Sequence, residues 1–401
     1  MRDFFRTQLY LRSEYLTAIL KANKDRIFVK PYKIPDERTL FQSRFFMMES
    51  SKIFQNQHVF LRYIHNLRGL AILSIVVSHM VPFLDTSKYP LISSLLQIVG
   101  SNGSAYFIFI AGFLFQFLSK KYNYNTYLKN KFFNVVIPYI LVSIPAICLC
   151  ILRNQPFYKT TDLNSFGHWS LFQKIIYLYV TGSHLFHFWF IPVIIIFYLF
   201  APIFIWLDRY PQHYKIALPF LICLSIVIPR ASDDALVLQN FVHFISVYTL
   251  GMFCSHYQAI LLLFMNKYWQ FILMLAILLI GLEINLVSIS SPLLNMIYIN
   301  TASKSILSIV FMFLLWQFDS NLPTVFHKIV SKLANLSFGI YFIHAYIIYT
   351  YMFVLKYLNI SIGSNIIFFT VSLAIVVLVS IFVVSISQQI LRKRSRYLLG
   401  C

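Results

Sequence analysis

Apolar residues run in long uninterrupted stretches along this chain, separated by short polar segments, and these stretches set its architecture. A helix rises about 1.5 Å per residue, so roughly 20 apolar residues cross a hydrocarbon core of about 30 Å. Stretches of that kind fall at 67–84, 95–118, 132–152, 186–206, 214–229, 236–254, 268–288, 300–318, 334–357 and 363–391. They predict about ten transmembrane helices. The fifth is short for a span, which leaves nine and eleven as the neighbouring counts. Alternating ten-residue segments, the mark of a membrane β-barrel, are absent. The fold class is therefore all-α, a polytopic integral membrane protein. Between about 153 and 185 the pattern changes: Phe172–Tyr179 is amphipathic and too short to span. It predicts an element lying flat on the outer face or re-entering, as an acceptor-binding lid or a structural brace.

Composition agrees and narrows the class. The 401 residues are 59% hydrophobic and 11% charged, a balance that soluble globular domains of this size do not carry. The formal charge is +20. Its lysines and arginines collect before Arg68, in alternate loops and in the Arg392–Arg396 tail, and basic loops mark the cytoplasmic face. Both termini are thus predicted to be cytoplasmic. The basic residues do not gather on one folded face as nucleic-acid binding requires, so no nucleic-acid partner is expected. Residues 1–62 read as a basic cytoplasmic extension whose Arg2, Arg6, Arg12, Lys21, Lys24 and Arg26 suit anionic membrane lipid. Met47 or Met48 offers an alternative start. Residues 63–396 form the membrane domain and 397–401 a short tail. No cleavable leader is visible. Cys148, Cys150, Cys223, Cys254 and Cys401 show neither zinc nor disulfide spacing.

Candidate chemistry sits in the first span. Arg68 and His79 have ten residues between them, which places them about 16 Å apart along a helix axis. An ionisable side chain within a span marks a functional site by default. His79 is the candidate catalytic residue, since an imidazole suits proton transfer near neutral pH; packing against a neighbouring helix is the alternative. Arg68 either anchors the helix at the interface or binds a phosphate or carbonyl. His344, near the middle of the ninth predicted span, must face the protein interior. His184 and His187 share a face if that segment is helical, beside Trp189, whose ring suits either an interfacial aromatic belt or sugar stacking. No third ligand accompanies the two histidines, so no metal is expected. Glu283 and Lys304 are expected to form a structural pair across adjacent helices. Phosphate-cradling glycine loops, nucleophile-elbow serines and zinc-protease histidine pairs are missing.

These landmarks stand in a familiar order. Tyr63-Ile-His-Asn-Leu-Arg68-Gly followed by His79 resembles the opening of the membrane acyltransferase-3 family, whose first helix carries arginine, ten residues, then histidine. Tyr106–Phe115 is similar to its second-helix block, with Ala111 where serine is more usual. Lys131-Phe-Phe-Asn-Val-Val-Ile-Pro138 resembles its basic turn into the third helix, although Asn134 stands where a second basic residue is common. His187-Phe-Trp-Phe-Ile-Pro192 with Tyr198–Pro202 resembles the fourth helix, and Ser337–His344 the late helix ending in histidine. The resemblance covers roughly 60–395.

It implies an enzyme, a membrane O-acetyltransferase of the polysaccharide-modifying type without the extracytoplasmic SGNH domain that many relatives carry. Acetyl-CoA would be the cytosolic donor, with no metal. A carbohydrate or lipid-linked sugar would be the acceptor, with polysaccharide-synthesis proteins as partners, in the cell inner (cytoplasmic) membrane. His79 would act as general base or acyl relay, with Arg68 and His344 completing the catalytic set. Lys129, Lys131, His187 and Trp189 would bind substrate, and Lys120 and Lys121 could supply charge that Asn134 lacks. A transporter or flippase for a polysaccharide or lipid-linked sugar is the competing function, because it too needs many helices and a few buried polar groups.

Overall fold

A computed structural model describes residues 57–400, apart from 86, 88, 90–91, 93–94, 97–102, 158–162, 229, 232–235 and 289–298. The chain divides into a unit Met1–Gln55 and a unit Asn56–Cys401, and the described residues belong to the second. The basic extension and the alternative starts at Met47 and Met48 lie outside the described residues, as does Cys401. All regular structure among the described residues is helical. The α-helices are α1 Gln57–Met80, α2 Gly103–Phe117, α3 Tyr124–Lys131, α4 Ile137–Arg153, α5 Leu163–His168, α6 Leu171–Thr181, α7 Phe190–Leu199 and α8 Ala201–Arg209. They continue with α9 Tyr214–Val227, α10 Val237–His256, α11 Gln258–Ser288, α12 Ile299–Gln317, α13 Thr324–Tyr357, α14 Ile366–Leu391 and α15 Ser395–Leu399.

A described helix falls on each of the ten predicted segments. Among the described residues, six helical stretches are long and apolar enough to cross a membrane: Arg62–Phe83, Tyr124–Arg153, Val237–His256, Gln258–Ile284, Thr324–Tyr357 and Ile366–Leu391. A seventh arises if α7 and α8, bent by 54°, count as one broken span. The break has a local cause. Pro202 sits in the first turn of α8, and without an N–H it cannot continue the ladder back to Tyr198. α9, at 14 residues, is short for the hydrocarbon thickness. A proline also shapes the α3–α4 junction. Pro138 cannot bond the carbonyl of Asn134, and Phe132–Val136 takes a π-helical turn between the two helices.

α2 and α10 cross closely through two glycines. A Cβ on Gly112 would strike the backbone of Tyr248, and one on Gly251 the backbone of Phe109. Small residues let membrane helices approach to backbone contact, where dispersion replaces the hydrophobic effect that lipid does not supply. α1 packs on both α2 and α13. Gly69 rests against the Val330 carbonyl of α13, and Tyr63 packs edge-on to Phe113 at 6.3 Å. Polar ties fix the N-terminal end of α1 as well. Arg62 pairs with Asp319 at 3.2 Å, His65 Nε2 lies 3.2 Å from Ser331 Oγ, and Asn66 Nδ2 lies 3.4 Å from His327 Nδ1.

The amphipathic segment forms α6, begun by a reciprocal cap between Ser170 and Gln173 and ended by Gly182 at φ 75°. It packs on α4, burying Leu178 against Ile147, Cys150 and Phe166. Tyr139 Oη donates to the Tyr179 carbonyl at 2.8 Å and Tyr179 Oη to the Ile140 carbonyl at 3.0 Å. Leu171, Phe172, Ile176 and Val180 stay exposed on its other face.

Candidate functional site

His79 lies in the last turn of α1 and is half-buried. Its ring packs on Phe186 at 4.3 Å between centroids, stacks over His344 at 5.5 Å and lies 6.3 Å from His187. His187 and His344 are themselves 4.4 Å apart. Three imidazoles from α1, α13 and the turn before α7 thus converge on one point. His79 makes no hydrogen bond to any described residue, so its ring nitrogens are uncommitted.

The other two rings are held by backbone. His344, fully buried, has Nδ1 2.7 Å from the Tyr341 carbonyl and 3.0 Å from the Ile340 carbonyl. A carbonyl only accepts, so Nδ1 carries the proton and Nε2 is left as a bare acceptor with no partner. His187 has neither ring nitrogen bonded, yet its main chain is fixed by Tyr341 Oη donating to its carbonyl at 2.6 Å. Buried polar atoms normally find partners, and the exceptions ask for an explanation. Here three such nitrogens surround the half-buried ring of His79.

His187 does not share a helix face with His184. Residues 182–189 form successive turns instead of a helix, because Gly182 takes a left-handed conformation pressed against the Phe188 backbone. The two rings diverge in consequence. His184 Nδ1 donates to the Leu178 carbonyl at 2.9 Å and Nε2 accepts from Ser143 Oγ at 2.7 Å. Both nitrogens are satisfied, and His184 is a strut between α6 and α4. Trp189 is 3% exposed, stacked on Phe244 at 5.8 Å with the Arg230 guanidinium 4.5 Å from its ring. A sugar could stack on it only after one of these moved aside.

Eleven residues before His79, in the middle of α1, Arg68 does not reach outward to the interface. It is half-buried, and its guanidinium donates to the Ala334 carbonyl of α13 at 2.6 Å, leaving Nε without a partner. Ser337 Oγ donates to the same carbonyl at 2.9 Å. Lys131, at the end of α3, is half-buried with Nζ 4.6 Å from the Tyr198 ring and 5.4 Å from that of Tyr127. Such cation–ring contacts hold a desolvated ammonium without neutralising it. Lys129 is exposed, and Asn134 turns back to donate to the Asn130 carbonyl at 2.7 Å. Neither lysine joins the histidine cluster. Lys304 is buried and within electrostatic reach of Glu283, which also accepts from Ser303 at 3.4 Å. Among the described residues no group of three His, Cys, Asp or Glu is disposed to hold a metal ion.

Phe186, Tyr341 and the Ala334 carbonyl escaped the sequence reading. Tyr341 stands one helical turn before His344 and was the most legible of the three.

The family model described as Acyltransferase domain matches residues 61–385, which include Arg68, His79, His187 and His344. The chain belongs to this acyltransferase-3 family. No curated protein and no solved structure matches it. As an acyltransferase-3 protein with long apolar helices, it is a multi-pass membrane acyltransferase.

Proposed function

We propose that this protein is a membrane O-acyltransferase. It moves an acyl group, most often acetyl, from cytosolic acyl-CoA to a hydroxyl of a cell-surface or lipid-linked carbohydrate at the inner (cytoplasmic) membrane. The convergence of His79, His187 and His344 supports this reading above all else, because packing alone gives no reason to bury imidazoles with uncommitted nitrogens.

In the reaction the acceptor oxygen attacks the thioester carbonyl carbon while a His79 ring nitrogen takes the hydroxyl proton. The tetrahedral intermediate then collapses, the carbon–sulfur bond breaks, and the proton on His79 passes to the departing thiolate. A variant of the same chemistry has His79 itself acylated and then deacylated by the acceptor. His344, with Nδ1–H fixed on carbonyls, presents Nε2 toward the site and favours one orientation of His79. Arg68 meets the donor from the basic side, through guanidinium donors not spent on Ala334. Lys129 and Lys131 add positive charge on that side, and His187 lines the acceptor path.

Membranes containing wild type or His79→Ala, supplied with labelled acetyl-CoA, test the proposal. General-base catalysis contributes roughly 10²- to 10⁴-fold, so label in the carbohydrate fraction should fall at least a hundredfold. Equal labelling by the variant removes His79 from the chemistry. Loss of polymer export with unchanged acetyl content would instead mark a transporter.

A further inference from the structure

α13 is 34 residues long, about 51 Å, and so outreaches a hydrocarbon core of about 30 Å. Its surplus lies at the basic end, before the first buried turns that hold Arg68. There a cavity of about 650 Å³ opens between α13 and the last turns of α14. Lys328, Ser331, Lys332 and Asn335 line it from α13, and Ser385, Gln388 and Gln389 from α14. Lys328 and Lys332 are four apart, as are Ser331 and Asn335, so each pair shares one side of the helix. No carboxylate lines the cavity. Asp319, the nearest acid on the preceding turn, is buried and paired with Arg62.

We infer that this cavity is a binding site for a phosphate-bearing ligand. Two ammonium groups supply charge, and the Ser385 hydroxyl and three carboxamides supply donors for the remaining phosphate oxygens, Ser331 Oγ being already paired with His65. Its volume falls within the range of ordinary small-ligand pockets, roughly 300–1,000 Å³. A merely solvated basic loop explains two lysines. It does not explain a concave wall in which neutral hydrogen-bonding groups from a second helix complete the lining. The α14 carbonyls at this end carry partial negative charge, but Gln388 O already accepts from the Arg392 N–H, which leaves the lysines to set the sign of the site. A phospholipid headgroup and the nucleotide phosphates of an acyl donor both present this chemistry. The inference rests on the cavity and not on the proposed role of His79, so either can fail alone.

The test uses the full-length purified protein in phosphatidylcholine nanodiscs. One arm adds phosphatidylglycerol and counts retained lipid by native mass spectrometry; the other titrates coenzyme A. Lys328→Ala/Lys332→Ala is compared with wild type and with Lys328→Arg/Lys332→Arg, both lysines being exposed and therefore replaceable without touching the core. At least tenfold weaker binding in the alanine variant, restored by arginine, is expected in one arm or both. Loss in the lipid arm assigns a headgroup, loss in the coenzyme A arm assigns the donor's phosphates, and loss in both assigns phosphate itself. Unchanged affinities in both arms, or no saturable binding by wild type in either, overturn the inference.

Discussion

The crossing of α2 and α10 offers a sharp physical test. Replacing Gly112 by Ala places a methyl on the Tyr248 carbonyl, and Gly251→Ala places one on the Phe109 carbonyl and the Phe113 nitrogen. The obstacles are backbone atoms, so no side chain can rotate away and the helices must separate. Overpacking of this kind costs about 1–3 kcal/mol, and alanine's better helix propensity returns roughly 0.5–1 kcal/mol. Because the blocking atoms are backbone, the upper part of the resulting range applies, and each single substitution should destabilise by roughly 1–2.5 kcal/mol. The two contact points are three residues apart on each helix, about 4.5 Å, so the separation that relieves one methyl also relieves the other. The double variant should then cost less than the sum of the singles, by at least 0.5 kcal/mol, as expected for sites that share a backbone shift. Equilibrium unfolding in bicelles of wild type, both singles and the double measures the cycle. Strict additivity, or a neutral single substitution, would show that the glycines do not set the approach.

Substitutions at two further positions separate catalysis from bracing within the histidines. His344→Asn keeps an amide donor near the Ile340 and Tyr341 carbonyls but deletes the Nε2 position; kcat should fall tenfold or more with little change in donor KM. His344→Gln, whose amide reaches further, should recover part of it, and equal kcat values for Asn, Gln and wild type would make His344 a packing residue. His184→Ala removes a strut whose two nitrogens are both bonded; it should cost about 1–3 kcal/mol of stability while activity per folded molecule stays near wild type, as thermal denaturation and acetyl transfer measured on the same preparation would show.

The apolar runs foretold where helices form, since a hydrocarbon solvent leaves the backbone few other ways to satisfy itself. Among the described residues, six of the resulting helical stretches are long and apolar enough to cross on their own, and a seventh arises from a bent pair. The 186–206 run gave no sign that Gly182 would hold 182–189 as turns, nor that Pro202 would bend the following helix by 54°. Arg68, His79 and His344 were legible as ionisable groups in apolar surroundings. That His187 joins them while His184 turns away was not, because three-residue spacing predicts a common face only on a helix. Trp189 read as an open platform or a belt residue and is instead enclosed by Phe244 and Arg230. The cavity beside Lys328 was hidden for another reason: the helix beneath it starts at Thr324, ten residues before the apolar run that announced it.

α1 and α13 touch at two heights, where Arg68 meets the Ala334 carbonyl and where His79 meets His344. The intervals are eleven residues on one helix and ten on the other, about 15–16 Å on each. Together they act as a fixed ruler between an anion-seeking guanidinium and a basic ring. A molecule anchored by phosphate at the first mark reaches the second only if a long slender arm separates its phosphate from its reactive carbonyl. If Arg68 holds the donor's phosphate and His79 meets its carbonyl, as proposed, the gauge would admit thioesters carried on extended tethers and turn away compact mixed anhydrides such as acyl phosphates, whose two ends lie too close together to touch both marks.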